Sequence, residues 1–321
     1  MRCTRLLAAL GAGLLSAGVV FAAAQPTAAP VQAVVSGTVH QALFAIDFDG
    51  PLGVAVGVGG EIQESTDRGA SWKAVDPVPT QLALLGVGVA GDRAIAVGQT
   101  GLVLTRSSDG RWTPADSGSQ QRLFSVQLNA TGRAVAVGGF GTVLVSEDFG
   151  RQWRPVALNW ADYAADGMEP HLYAASVDAA GVITIAGEFG LILRSRDLGQ
   201  SWQLLHKGDA SLFAMQLRED GIGYAVGQSG VVLHTRDHGD TWESQQSGSG
   251  ALLLGVHAAD DGEVVITAMR EMLFSRDAGS SWKQVEAPAV KGSWYVGVAQ
   301  ADAQSAVLAV GQAGQIVRLD P

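Results

Sequence analysis

The chain is short of the residues on which most enzymes and most small exported folds depend. Cysteine occurs once in 321 residues, at Cys3, so neither a disulfide framework nor a paired-cysteine metal site can be drawn. Histidine occurs at six scattered positions, and His234 and His238, four apart, straddle a turn motif instead of sharing a helix face. There is no His-Glu-x-x-His, EF-hand loop, Gly-x-Ser-x-Gly elbow or Gly-x-x-x-x-Gly-Lys loop. The sequence thus supplies no catalytic residue, no metal site and no cofactor site, and a non-enzyme is expected.

Charge is sparse and of the wrong sign for polyanions. Charged residues are 16% of the chain and the formal net charge is −10, which becomes −12 once Arg2 and Arg5 are removed with the N-terminal segment. Such a balance speaks against nucleic acid, whose binding depends on neutralising phosphates, and against adsorption to anionic headgroups. The only long apolar run lies at the start. Arg2 and Arg5 precede Leu6 to Phe21, and Ala22-Ala23-Ala24 then fits the small-residue rule for cleavage. Residues 1–24 are read as a signal peptide and 25–321 as one folded domain. After cleavage no integral membrane segment is left. Export to the periplasm or beyond is expected, or to the thylakoid lumen if the host is photosynthetic.

What the chain has in excess is glycine, 42 residues against a usual share of about 7%, and it recurs at fixed places. The pattern Ser/Thr-x-Asp-x-Gly-x-x-Trp runs from Ser65 to Trp72 and returns at Ser146–Trp153, Ser195–Trp202, Thr235–Trp242 and Ser275–Trp282. A shortened copy spans Ser107–Trp112. The chemistry is that of a turn: a carboxylate accepts backbone N–H groups, glycine takes positive φ, and tryptophan lays a large ring against its neighbours. Asp67, Asp109, Asp148, Asp197, Asp237 and Asp277 are therefore structural acids, separate copies of one corner.

Before each corner stand two short apolar strands joined by Gly-x-x-Gly, as in Ala136 to Leu144. The first glycine falls at Gly57, Gly98, Gly138, Gly187, Gly227 and Gly311, with Ala268 in its place in the sixth copy; the intervals are 41, 40, 49, 40, 41 and 43. Continuous apolar strands are covered on both faces, and four-stranded units of this length stacked side by side describe a propeller. The expected fold is all-β: a seven-bladed β-propeller of four-stranded antiparallel blades. In the third blade the strands are expected at Leu123–Leu128, Ala134–Val137, Thr142–Val145 and Trp153–Leu158. The seventh repeat ends after its third strand, so Val31–Ser36 is expected to supply the missing outer strand and close the ring.

The Asp corner resembles the Asp-box, or bacterial neuraminidase repeat. Combined sevenfold with the Ala-Val-Gly-x-x-Gly strand pair after a signal peptide, it is similar to the photosystem II stability and assembly factor family over roughly residues 40–319. The resemblance implies a non-enzymatic propeller that assists assembly of a membrane complex, with a membrane-complex subunit as protein partner; a monomer is expected. The photosynthetic members carry a basic, Arg-containing surface, whereas here no arginine cluster is evident outside the corners, where Arg106, Arg151, Arg196, Arg236 and Arg276 recur. The alternative is a glycoside hydrolase or sialidase-like propeller. Sialidases need an arginine triad and a Tyr/Glu pair, and glycoside hydrolysis needs two carboxyls at one bond; Glu61, Glu188 and Glu271 are the nearest candidates.

Strand alternation puts the Gly-x-x-Gly turns and the connections between blades at one end, opposite the Asp corners. Residues on that face include Phe140, Glu188, Phe189, Met269, Arg270, Glu271 and Gln312. The long interval adds a loop, Asn159–His171, carrying Trp160, Asp162, Tyr163, Asp166, Met168 and Glu169. Phe140, Trp160, Tyr163, Glu188, Phe189, Arg270 and Glu271 are the candidate binding residues.

Overall fold

A computed structural model describes residues 30–164 and 167–320. The expected signal peptide and Asp166 lie outside the described residues. The chain forms seven four-stranded antiparallel sheets, six of them paired in sequence order from an inner to an outer strand and the seventh completed by the strand Val31–Val35. The inner strands are Leu43–Asp49, Leu84–Ala90, Leu123–Leu128, Leu172–Val177, Leu212–Leu217, Leu253–Ala258 and Tyr295–Ala299. The second strands Ala134–Gly138 and Ile183–Gly187 are buried along their whole length because each sheet is covered by a blade on either side.

The hydrophobic core is divided among the seams between blades. Val54, Val56 and Ile62 of the first blade pack on Leu84, Val87 and Val89 of the second. The last seam joins Leu43, Ile46 and Ala55 to Leu308, Val310 and Ile316, and so closes the ring. Closure is also made by hydrogen bonding. Strand Val31–Val35 pairs antiparallel with Ile316–Leu319, with Val31 opposite Leu319 and Ala33 opposite Val317. This is the outer strand expected from the truncated seventh repeat.

The corners are built as their chemistry requires. In the first, Ser65 Oγ accepts Gly69 N at 2.8 Å and donates to Asp67 Oδ1 at 2.8 Å; Asp67 Oδ1 also accepts Ser71 N at 2.9 Å. Trp72 Nε1 then donates to Gly69 O at 3.1 Å, folding the indole back over the turn. Gly69 has φ +84°, and a Cβ there would run into Leu308 of the neighbouring blade. The same bonds hold Asp148, Asp197 and Asp237. In the shortened corner at Asp109 the tryptophan does something else: Trp112 Nε1 donates to Glu64 Oε1 at 2.6 Å across the seam, beside the Arg106–Glu64 ion pair.

One expectation is corrected. The outer strand of the third blade is only Arg154–Pro155, not Trp153–Leu158. The indole of Trp153 is occupied in the corner, donating to Gly150 O at 2.8 Å, and Pro155 has no N–H to extend a ladder.

Candidate functional site

At the end opposite the Asp corners, each inner strand carries a one-residue bulge immediately after its first residue. Leu43 pairs with Gly57 and Ala45 with Val56, leaving Phe44 unpaired between them. The same slip occurs at Leu85, Phe124, Tyr173, Phe213, Leu254 and Val296. A bulge re-aims its side chain, and these residues line the mouth of the central channel, a cavity of about 360 Å³.

The bulge and the first glycine depend on one another. A Cβ on Gly57 would overlap the Ala42 carbonyl, which accepts Val58 N at 3.0 Å. In the sixth blade Ala268 replaces this glycine. There the corresponding contact, Met269 N to Leu252 O, opens to 3.4 Å, and Met269 forms a bridge to Trp294.

Aromatic rings gather on one side of the mouth. Tyr173 lies 5.3 Å from Phe124 and 5.0 Å from Phe213 between ring centroids. His171 continues the cluster outward to Phe140, with centroids 5.0 Å apart. Phe140 sits in the turn at φ +52°, a conformation costly for a bulky residue, and is 59% exposed. Opposite, Phe44 stacks on Trp294 at 6.1 Å.

The rest of this rim is apolar as well. Val39, Val58, Leu82, Phe140, Met168, Leu252 and Met269 are exposed, and all lie in Gly-x-x-Gly turns or in connections between blades. Among the described residues the only other exposed large hydrophobic is Leu204, on an outer strand.

The candidate residues divide into presented and tucked away. Phe140 and Arg270 are exposed; Glu188, Phe189 and Glu271 are half-buried in their turns. Trp160 is only 6% exposed, so it is not offered to a partner. A short 3-10 turn, Trp160–Asp162, points the indole into the seam between blades three and four, onto the space left by Gly141. Tyr163 follows it inward, with edge-on rings 6.3 Å apart and its hydroxyl donating to Trp202 O at 3.2 Å. Burial pushes the Tyr163 hydroxyl pKa up.

Charge differs between the two ends. At the corner end, several carboxylates pair with arginine: Glu64 with Arg106, Asp240 with Arg194 and Arg196, Asp220 and Asp260 with Arg218, Asp302 with Arg68. Arg194, Asp240 and Arg218 line the channel mouth at this end. On the apolar rim, Glu61, Glu188 and Glu271 make no ion pair among the described residues. Glu61 accepts the Gln63 amide at 3.1 Å, and one carboxylate oxygen of Glu271 is buried without a hydrogen-bond partner. Glu188 accepts His171 N at 2.7 Å and the Tyr173 hydroxyl at 3.5 Å. Burial first, and the Glu188 charge second, push the Tyr173 pKa up to about 12, so the phenol stays protonated.

These three glutamates belong to different blades, the first, fourth and sixth, and no hydrogen bond joins any two of them. Among the described residues no group of three or more His, Cys, Asp or Glu is placed to hold a metal ion. No helix there is long and apolar enough to cross a membrane.

Phe124, His171, Tyr173 and Phe213 were not among the sequence candidates. A signal for the bulge residues exists: an apolar pair opens each inner strand, Leu43-Phe44, Leu84-Leu85, Leu123-Phe124, Leu172-Tyr173, Leu212-Phe213, Leu253-Leu254 and Tyr295-Val296.

No family model and no curated protein matches this chain. Solved structures do match it. YCF48 bound to a D1 peptide is 18% identical, with 91% of this chain and 95% of that one covered at a TM-score of 0.70. YCF48 from Cyanidioschyzon merolae is 20% identical, with 91% and 99% covered at a TM-score of 0.72. The WD40 propeller domain of Doa1 is 11% identical, with 90% and 96% covered at 0.70. At these identities the likeness establishes the propeller fold.

Proposed function

We propose that this chain is an exported, non-catalytic docking propeller that acts as an assembly factor or scaffold for a membrane complex, working in the periplasm or outside the cell. The observation that carries the reading is the one-sided distribution of exposed apolar side chains around the bulge ring. Exposed apolar surface gathered in one place marks interaction sites, whereas scattered residues do not. Two likenesses support a peptide or protein ligand: the repeat resembles that of photosystem II stability and assembly factors, and YCF48, alike in fold, has been solved with a D1 peptide.

The carboxylates of the rim do not favour glycoside hydrolysis. That reaction needs two carboxyls flanking one bond, whereas Glu61 and Glu188 are hydrogen-bonded to neighbours of their own and Glu271 stands on a further blade.

The test is crosslinking of the tagged, exported chain to membranes, followed by identification of the captured protein. Wild type is expected to recover a membrane-complex subunit, and Phe140→Glu with Met269→Glu to lose it while melting at the wild-type temperature. Equal recovery by both chains would overturn the placement of the docking face on this rim. Turnover of aryl glycosides or sialosides would overturn the non-catalytic reading.

A further inference from the structure

The docking reading leaves open what kind of side chain enters the channel mouth, and two features there point the same way. The first is a set of three aromatic rings on consecutive blades. Phe124, Tyr173 and Phe213 are neighbours at 5.3 and 5.0 Å, tilted by 43° and 53° to one another, each half-buried at the channel wall. All three line the same opening, and the negative face of a ring quadrupole favours a cation. The aliphatic part of the ring, Leu85, Leu254 and Val296, has no such field.

The second feature is a carboxylate behind the rings. Glu188 is anchored by His171 N and by the Tyr173 hydroxyl, and no Lys or Arg of the described chain pairs with it. Of the three rim glutamates without an ion pair, Glu188 is the one hydrogen-bonded to a ring of this set. The cations of the same rim are otherwise placed: Lys291 pairs with Glu286, Lys207 Nζ donates to Tyr163 O, and Arg122 and Arg270 extend into solvent.

Resting on the docking function above, we propose that Phe124, Tyr173, Phe213 and Glu188 form a receptor for one cationic side chain, arginine or lysine, of the docked partner segment. The rings take the charged head by cation–π contact and Glu188 supplies the counter-charge at the Tyr173 edge. The surrounding apolar rim holds the flanking residues. The partner segment is thus basic at its inserted residue, in keeping with the net charge of −10 on this chain.

The test uses small probes, so it does not require the partner. N-acetyl-arginine amide, N-acetyl-citrulline amide and N-acetyl-leucine amide are titrated into the isotope-labelled full chain to about 50 mM while backbone amide shifts are followed. Citrulline keeps the shape of arginine without its charge. Arginine amide is expected to shift Phe124, Tyr173 and Phe213 and to bind at least about fivefold more tightly than citrulline amide. Glu188→Gln is expected to weaken that preference at least about twofold, and Tyr173→Phe, which keeps the ring, to retain most of it. Wild-type shifts elsewhere in the spectrum show that each variant is folded. Equal binding of arginine and citrulline, tighter binding of leucine amide, or no shift at the mouth with any probe would overturn the cationic receptor. The docking function fails by a different result, equal membrane crosslinking by wild type and the Phe140/Met269 variant, so the two failures are distinguishable.

Discussion

The backbone amide of Phe140 donates to Nδ1 of His171 at 3.1 Å, and the two rings meet edge to face. The bond crosses between blades three and four, and it holds an exposed phenylalanine in a left-handed turn. His171→Ala is therefore expected to cost about 1 kcal/mol of stability, the usual net worth of one hydrogen bond. It should also accelerate hydrogen exchange at the Phe140 amide. Unchanged exchange there would show that the turn holds Phe140 without the imidazole.

Trp160 should behave as a core residue. Trp160→Ala removes a buried indole from the seam between blades three and four and is expected to cost about 3–5 kcal/mol, measured by chemical denaturation. Gly141→Val should destabilise comparably, because its side chain would enter the space the indole occupies and its φ of +64° is costly for a β-branched residue. A Trp160→Ala chain of wild-type stability that fails to capture a partner would reverse the assignment.

The closing strand should matter more than its length suggests. Removing residues 31–36 strips the outer strand from the seventh blade and uncovers the ladder along Ile316–Leu319. The melting temperature is expected to fall by more than about 5 °C, since several hydrogen bonds and the Val31 and Val35 contacts go together. An unchanged melting temperature would mean that the ring holds without this strand.

Two sets of carboxylates pull the pH dependence in opposite directions. Asp47 accepts Val89 N at 2.8 Å, and burial, the dominant cause, raises its pKa to about 7. The folded chain therefore holds a proton that the unfolded chain releases near 3.8, so stability falls as the pH rises from about 4 through 7. Asp67, Asp197 and Asp237 are shifted down to about 2, first by the hydroxyls of Ser71, Ser201 and Thr241. Their contribution is complete above the ordinary carboxylate value and is lost as the pH falls towards 2. Melting temperature against pH should peak near pH 4–5, and Asp47→Asn should flatten the limb above the peak. A limb that keeps its slope in Asp47→Asn would remove Asp47 from the account.

Legibility followed the range of the interactions. The Asp corners were readable because Ser65, Asp67, Gly69, Ser71 and Trp72 bond to one another within eight residues, and their recurrence counted the blades. The closing strand was readable because the seventh repeat lacked a partner for its third strand. The orientation of Trp160 was not, because it is set by the missing side chain of Gly141 in an earlier turn. The aromatic cluster was not, because Phe124, Tyr173 and Phe213 are separated by 49 and 40 residues and meet only once the blades are stacked in a ring. The charge asymmetry was hidden for the same reason: Glu64 and Arg106, or Arg194 and Asp240, pair across seams.

The antiparallel seal between Val31–Val35 and Ile316–Leu319 has a consequence for biogenesis. A chain made from its N-terminus delivers Val31–Val35 before any blade and Ile316–Leu319 only after the first six blades. Until then the nascent toroid stays open, with the seam between its first and last blades unprotected. Any factor that shields apolar edges before closure has its longest task at that seam, and the latching step joins an early segment to one made after all the blades between them.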